Sequence, residues 1–216
     1  MKKLKKMTGG EAMVRTAQAN GIDTVFGLPG AQTYPMFDAL YNLPEIKTVI
    51  SRHEQGAGYM AFGYSKATGK PSAFSVVPGP GVLNASAALC TAAGCNVPIL
   101  CLTGQVPSQF LGKGRGHLHE LSSQSETLET IIKYAGHIAD PSETPCLMNE
   151  AFRIMQSGRP GPVSVEMCWD TMAQLWDVEM APGNTIIDKP VLDEDAITAA
   201  AKLIADSQNI MIMCGG

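Results

Sequence analysis

The chain of 216 residues is long enough for one α/β domain together with part of a second one. Its composition, 45% hydrophobic and 17% charged residues, is that of an ordinary globular protein with enough apolar side chains to fill a core. The net charge of −4 argues against a nucleic-acid-binding protein, and no run of about 18 apolar residues predicts a membrane span.

The cysteines indicate a reducing compartment. They lie mostly in apolar segments and show no Cys-x-x-Cys spacing, which is typical of buried thiols and not of a disulfide framework or a zinc site. The basic start of the chain is not followed by the apolar segment of a signal peptide, so we expect a cytoplasmic protein. The six cysteines of the chain are Cys90, Cys95, Cys101, Cys146, Cys168 and Cys214.

Helices and strands are predicted to alternate over the first half of the chain. Thr8 and Glu11 have capping-box spacing, which places a helix start there. In chain order we predict a helix to about Gly21, a strand over 24–27, a helix over 34–41, a strand over 47–50, a helix from Glu54 to Lys70, a strand over 73–77, a helix of small residues over 81–92 and a strand over 98–103. Continuous apolar strands with glycine turns after them predict a three-layer, doubly wound α/β fold, whose mostly parallel sheet has helices on both faces.

The second half is less regular. We predict an irregular stretch over 110–120, helices near 125–132 and 143–156, and strands near 134–138 and 161–167. Residues 170–190 lack periodicity and are interpreted as a linker, followed by an amphipathic helix over 193–206 and a buried strand over 209–214. We therefore divide the chain into a domain over 1–170, a linker over 171–190 and the truncated beginning of a second α/β domain over 191–216.

The predicted sheet brings several small residues and one carboxylate to a common edge. Ligands of parallel sheets bind beyond the carboxyl ends of the strands, and Gly30, Glu54, Gly79 and Gly104 all fall there. Glu54 begins a helix whose next residues are small, so another surface can approach its backbone. In a helix's first turn a glutamate is more often a solvated residue that complements the helix dipole, so both interpretations stand at this point.

Six motifs follow one another along the chain and together cover about residues 8–170. They are Gly21-Ile22-Asp23-Thr24-Val25-Phe26-Gly27-Leu28-Pro29-Gly30, Arg52-His53-Glu54-Gln55-Gly56-Ala57, Gly63 to Lys70, Pro78-Gly79-Pro80-Gly81 with Asn84, Pro98 to Gln105, and Gly158 to Val163. In this order, the set resembles the N-terminal pyrimidine-binding domain of thiamine-diphosphate-dependent enzymes of the acetolactate synthase-like branch.

The resemblance implies that Glu54 is the catalytic glutamate that activates the cofactor. Its carboxyl group shares a proton with a ring nitrogen of the aminopyrimidine, which prepares thiamine diphosphate to attack a carbonyl carbon. Such a glutamate must keep its proton near neutral pH. The helix dipole favours the ionised form by about 0.3–1 kcal/mol, whereas burial favours the neutral form by about 4–7 kcal/mol. We therefore expect Glu54 to be buried.

The resemblance also assigns the turns around Glu54. Pro29, Gly30, Pro78, Gly79 and Asn84 are expected to contact the cofactor of a neighbouring chain. The alternative for these residues is a plain tight turn without a ligand. The residues expected to face the substrate are Ala31 and Gln32.

One motif departs from the family. Acetolactate synthases have Phe-Gln-Glu where this chain has Leu118-His119-Glu120, with His117 close by. Because histidine moves protons near neutral pH, catalytic roles for His119 and His117 are one interpretation, in a lyase, a decarboxylase or a carbon–carbon hydrolase. Surface histidines on a loop are the other interpretation. The glycines at 112, 114 and 116 only weakly suggest a phosphate-binding loop.

The family binds the diphosphate and Mg²⁺ through a Gly-Asp-Gly motif, which these 216 residues do not contain. The resemblance thus implies that the metal ligands lie outside this sequence, that the fragment alone is inactive, and that the active site lies between subunits of a homodimer or homotetramer. The predicted function is that of a transferase or lyase acting on a 2-oxo acid, by carboligation or decarboxylation. The alternative from another class is a non-catalytic regulatory domain of the same fold.

Overall fold

Eight strands and eight α-helices make up the part of the chain that the computed structural model describes, residues 4–184 and 186–213. The strands are β1 (Leu4–Thr8), β2 (Thr24–Gly27), β3 (Lys47–Ile50), β4 (Ser72–Val76), β5 (Ile99–Gln105), β6 (Tyr134–Ile138), β7 (Val163–Cys168) and β8 (Leu175–Glu179). The α-helices are α1 (Gly9–Ala19), α2 (Tyr34–Tyr41), α3 (Glu54–Thr68), α4 (Pro80–Gly94), α5 (Gln124–Glu129), α6 (Thr144–Gln156), α7 (Trp169–Ala173) and α8 (Glu194–Ala205), with short 3₁₀ turns at Ser108–Phe110 and Pro141–Glu143.

Six of the strands form one parallel sheet in the order β3-β2-β4-β5-β7-β6. Side chains of each strand alternate between the faces, so Val25 and Phe26 enter different cores. Helices α1, α2 and α6 cover one face, and α3, α4 and α5 cover the other. The predicted three-layer, doubly wound fold is confirmed.

Two predictions about element starts are also confirmed. Thr8 caps α1, because its Oγ1 accepts the backbone N–H of Glu11 over 3.1 Å. Glu54 is the first residue of α3, and Nδ1 of His53 accepts the backbone N–H of Gln55 over 3.2 Å. The capping role of His53 was not predicted, since histidine is an uncommon N-cap residue.

The prediction of an irregular segment over 170–190 is wrong for two stretches. Helix α7 begins at Trp169, and β8 pairs antiparallel with β1 in a separate two-stranded sheet. Each of these strands has a single buried residue, Met7 in β1 and Val178 in β8, and these pack together against Ala12. Neither strand has the apolar run that marks a strand in sequence. The division into three segments remains a prediction.

The C-terminal prediction is half correct. Helix α8 forms, capped by Asp193, but none of its residues is buried. Residues 209–213 form no strand and are exposed, whereas a buried strand was predicted there; position 214 lies outside the described residues. A strand needs a partner for its backbone hydrogen bonds, and the described residues provide none for this segment.

The cysteine prediction is correct for only part of the set. Of the five described cysteines, all are free thiols. Cys101 and Cys168 are buried, but the other three are exposed: Cys90 and Cys146 lie on outward faces of α4 and α6, and Cys95 directly follows α4. Cys214 lies outside the described residues. No helix in the described part of the chain has the length and apolar character needed to cross a membrane.

Candidate functional site

Glu54 lies beyond the carboxyl end of β3, where the predicted ligand edge of the sheet begins. Asn84, one turn inside α4, donates from Nδ2 to Oε2 of Glu54 over 3.1 Å. Asn84 is exposed and Glu54 is half-buried. The structure therefore brings two of the predicted site residues together, but this chain alone does not provide the full burial expected for Glu54.

Gly79 has a backbone conformation that only glycine adopts readily. It is the N-cap of α4, with φ 56° and ψ −110°. A Cβ atom at this position would lie 2.4 Å from the carbonyl oxygen of His119. Pro78 and Gly79 are both buried. The turn predicted to contact the cofactor is thus packed closely against the loop that carries the histidines.

The turn around Gly30 is ordered by its own neighbours. Oγ1 of Thr33 donates to the carbonyl oxygen of Gly30 over 2.9 Å. A Cβ atom on Gly30 would lie 2.6 Å from a methyl group of Val77, so a larger residue here would require the Val77 side chain to move. Pro29 is exposed, and Gly30 and Ala31 are half-buried. Ala31 therefore has a surface that a ligand can reach.

Gln32 and His119 form a pair between two distant parts of the chain. Oε1 of Gln32 lies 2.6 Å from Nδ1 of His119, and Nε2 of Gln32 donates to the carbonyl oxygen of Leu118 over 3.0 Å. A carbonyl oxygen only accepts, so Oε1 must face the imidazole and Nδ1 must carry a proton. In neutral His119 the basic lone pair is consequently on Nε2.

Both members of this pair have unusual backbones. Gln32 has φ 68° and His119 has φ 64°, in the left-handed region that non-glycine residues seldom adopt. Gln32 is only 2% exposed and its amide is engaged by the loop. Strained residues of this kind concentrate at functional sites, where the surrounding structure holds them. Gln32, which was predicted to face the substrate, therefore has almost no surface that a ligand can reach and contacts His119 instead.

His117 and the glycine loop are arranged around a carboxylate. The ring of His117 stacks on Phe110 with centroids 4.5 Å apart. The carboxylate of Glu120 accepts the backbone N–H groups of His117 (2.8 Å) and Gly114 (2.9 Å). The His117 hydrogen bond is the main reason why the pKa of Glu120 lies below its usual value. Because a side chain of the protein already fills this loop, the phosphate-binding interpretation is not supported.

A buried polar cluster next to these residues was missed from the sequence. Glu166 in β7 is 4% exposed and contacts Gln124, His137 and Gln105. The available signal was a single glutamate inside the apolar run of β7, a position where an acidic residue requires buried partners. In the described ranges, no group of three or more His, Cys, Asp or Glu side chains could hold a metal ion.

Comparison with known proteins agrees with this architecture. Residues 7–127 match the family described as thiamine pyrophosphate enzyme, N-terminal TPP binding domain. The chain is 34% identical over 215 residues to the acetolactate synthase isozyme 1 large subunit of Escherichia coli, covering 98% of this chain and 37% of that protein.

Two further relatives have different descriptions. A probable 2-ketoarginine decarboxylase (AruI) of Pseudomonas aeruginosa is 36% identical over 222 residues, covering 100% of this chain and 39% of that protein. The mitochondrial acetolactate synthase catalytic subunit of Saccharomyces cerevisiae is 36% identical over 203 residues, covering 94% of this chain and 29% of that protein. The chain spans well under half the length of each of these relatives. The parallel sheet and the family match together confirm the predicted resemblance: the chain belongs to the thiamine pyrophosphate enzyme family and contains its N-terminal TPP binding domain.

Proposed function

We propose that this chain contributes the cofactor-activating half of an active site that acts on a 2-oxo acid, by carboligation or decarboxylation. The observation that carries the proposal is the pair of Glu54 and Asn84, at the starts of two helices beyond the carboxyl ends of β3 and β4. The family match supports thiamine diphosphate as the cofactor. Relatives described as acetolactate synthases and a decarboxylase support the two reaction types.

The residues present fit this cofactor. Among the described residues, Asn84 is the only hydrogen-bond partner of the Glu54 carboxyl group and occupies Oε2 alone. Oε1 is consequently available to share a proton with a ring nitrogen of the aminopyrimidine. Pro78 and Gly79 provide a rigid turn beside it, and Pro29 and Gly30 provide a second. When bound, thiamine diphosphate supplies the carbon nucleophile that attacks the substrate carbonyl.

In this proposal a second subunit completes the burial of Glu54. Helix α4 has no charged residue, and α3 has only Glu54 and Lys66. Tyr59 on α3 and Leu83 on α4 are 39% and 47% exposed, so these helices present an uncharged and partly apolar face. Such a face suits a homodimer or homotetramer interface. The diphosphate and Mg²⁺ would be held by residues outside this chain.

His119 is proposed as the acid–base group for the substrate. Its Nδ1 proton is held by Gln32, so Nε2 accepts or returns a proton at the substrate oxygen or carbon. His117, in the same loop, is the second candidate for this acid–base role. Ala31 is proposed to contact the substrate.

The proposal is tested with Glu54→Gln in the intact protein loaded with thiamine diphosphate and Mg²⁺. Glutamine preserves the shape of Glu54 but cannot exchange a proton with the cofactor. We expect deuterium exchange of the thiazolium proton to slow by about 10²–10⁴-fold, the usual contribution of an acid–base group. The matched control is Glu45→Gln, which changes an exposed glutamate away from the site. An unchanged exchange rate in the Glu54 variant would refute the proposal.

The histidines are tested separately. His119→Gln should alter the partition between decarboxylated and carboligated products of the 2-oxo acid substrate, because the position then carries the glutamine of the acetolactate synthase motif. His117→Gln is the neighbouring comparison. If neither variant changes the product ratio or the rate, both histidines are ordinary loop residues.

A further inference from the structure

A buried carboxylate lies beside the candidate site and takes no part in the chemistry proposed above. Glu166 is 4% exposed, and three N–H donors surround it. Nε2 of Gln124 lies 2.5 Å from Oε2, while Nδ1 of His137 (2.9 Å) and Nε2 of Gln105 (3.4 Å) face Oε1. A buried charge is tolerated where hydrogen bonds replace its lost hydration. These contacts satisfy both oxygens of Glu166.

The acceptors in this cluster determine how the amide of Gln124 is turned. Its Nε2 also donates to the carbonyl oxygen of Gly104 over 3.2 Å. Because a carbonyl oxygen and a carboxylate only accept, the nitrogen must face them and Oε1 must face the opposite way. There Oε1 accepts the backbone N–H of Gly79 over 2.7 Å. Gln124 therefore connects the buried carboxylate to the turn at the start of α4.

Gly79 is the point at which the two halves of the candidate site meet. On one side it begins α4, which carries Asn84 and through it contacts Glu54. On the other side its backbone packs against the carbonyl group of His119. A displacement of the Gly79 peptide would move both halves. The hydrogen bond that the Gly79 N–H donates to Oε1 of Gln124 fixes the position of this peptide.

We propose that Gln124 is a positioning residue for the cofactor site, and that Glu166 and His137 hold Gln124 in the orientation this role requires. The cluster acts through the Gly79 turn and does not touch the reacting groups. The inference rests on the proposed function, which it deepens by naming what sets the geometry of Glu54 and His119.

The test uses Gln124→Leu in the intact protein. Leucine is of similar size but cannot accept the Gly79 N–H. In the cofactor-free protein we expect hydrogen exchange of the Gly79 amide to become about tenfold faster, because a buried hydrogen bond is lost. With thiamine diphosphate and Mg²⁺ bound, we expect thiazolium proton exchange to slow by about tenfold, with a smaller change in cofactor affinity.

The matched control is Leu128→Val, on the same helix and 1% exposed, which leaves a small cavity but removes no hydrogen bond of the cluster. If both variants change the two exchange rates equally, Gln124 is only a packing residue of α5 and the inference is overturned.

The two proposals fail in different ways. If Glu54→Gln leaves thiazolium exchange unchanged, the proposed function fails, while Gly79 protection in the cofactor-free protein still tests the positioning role. If Glu54→Gln slows the exchange but Gln124→Leu behaves like Leu128→Val, only the positioning role is refuted.

Discussion

Replacing Gly79 with alanine probes the tightest contact in the candidate site. The added Cβ would lie 2.4 Å from the carbonyl oxygen of His119 and 3.0 Å from its carbonyl carbon. Both are backbone atoms, so no side-chain rotation can relieve the overlap. The backbone angles of Gly79, φ 56° and ψ −110°, are also unfavourable for alanine. The substitution therefore combines a conformational cost with a steric one.

The magnitude follows from these two terms. A positive φ costs a non-glycine residue about 1–2 kcal/mol, and overpacking costs about 1–3 kcal/mol. We expect Gly79→Ala to lower the free energy of unfolding by about 2–5 kcal/mol. Gly69→Ala is the matched control, because Gly69 has φ 70° but no heavy atom within 4 Å of its added Cβ. It should cost only the conformational 1–2 kcal/mol or so.

The assay is equilibrium urea unfolding followed by circular dichroism, with hydrogen exchange as a local measurement. The two variants should differ in unfolding free energy. In addition, only Gly79→Ala should speed hydrogen exchange over residues 117–120, because only this substitution displaces the His119 peptide. Equal losses of stability in the two variants, with unchanged exchange in the loop, would refute the reasoning from the close contact.

Three further predictions concern other parts of the chain. Gly63→Ala, in α3 with open space around the added Cβ, should raise the unfolding free energy by about 0.5–1 kcal/mol in urea titrations; a loss would mean that this glycine has a packing role. The pKa of Glu120 is lowered from its usual 4.5, chiefly by the His117 N–H. The ionised carboxylate therefore stabilises the glycine loop above pH 4.5, and this stabilisation is lost as the pH falls through the lowered pKa. The amide NMR signals of Gly114 and His117 should shift in that acid range, and Glu120→Gln should remove the dependence. Burial raises the pKa of Cys101 and Cys168 to about 12, so iodoacetamide should alkylate these two thiols only after unfolding. The exposed thiols should be alkylated in the folded protein: Cys90, Cys95 and Cys146. Mass spectrometry of the labelled protein distinguishes the two sets.

The local sequence pattern was sufficient to predict most of the helices and strands, and the edge of the sheet at which the candidate site lies. The spacing of Thr8 and Glu11 located the start of α1, and a short β-branched strand before Glu54 located the start of α3. Continuous apolar strands indicated burial on both faces and hence a parallel sheet. These features are determined by residues close together in the chain, which is why sequence alone could predict them.

Only the tertiary structure determined which side chains meet. Gln32 lies 87 residues from His119, and Gln124 lies 45 residues from Gly79 and 42 from Glu166. Strands β1 and β8 pair although each buries a single residue, whereas residues 209–213 form no strand, since none of the described residues pairs with them. The burial of Glu54 likewise depends on its surroundings and not on its position at a helix start. Long-range pairing is a property of the packed chain, so a motif can name Glu54 and Gly79 but cannot reveal the residues that hold them in place.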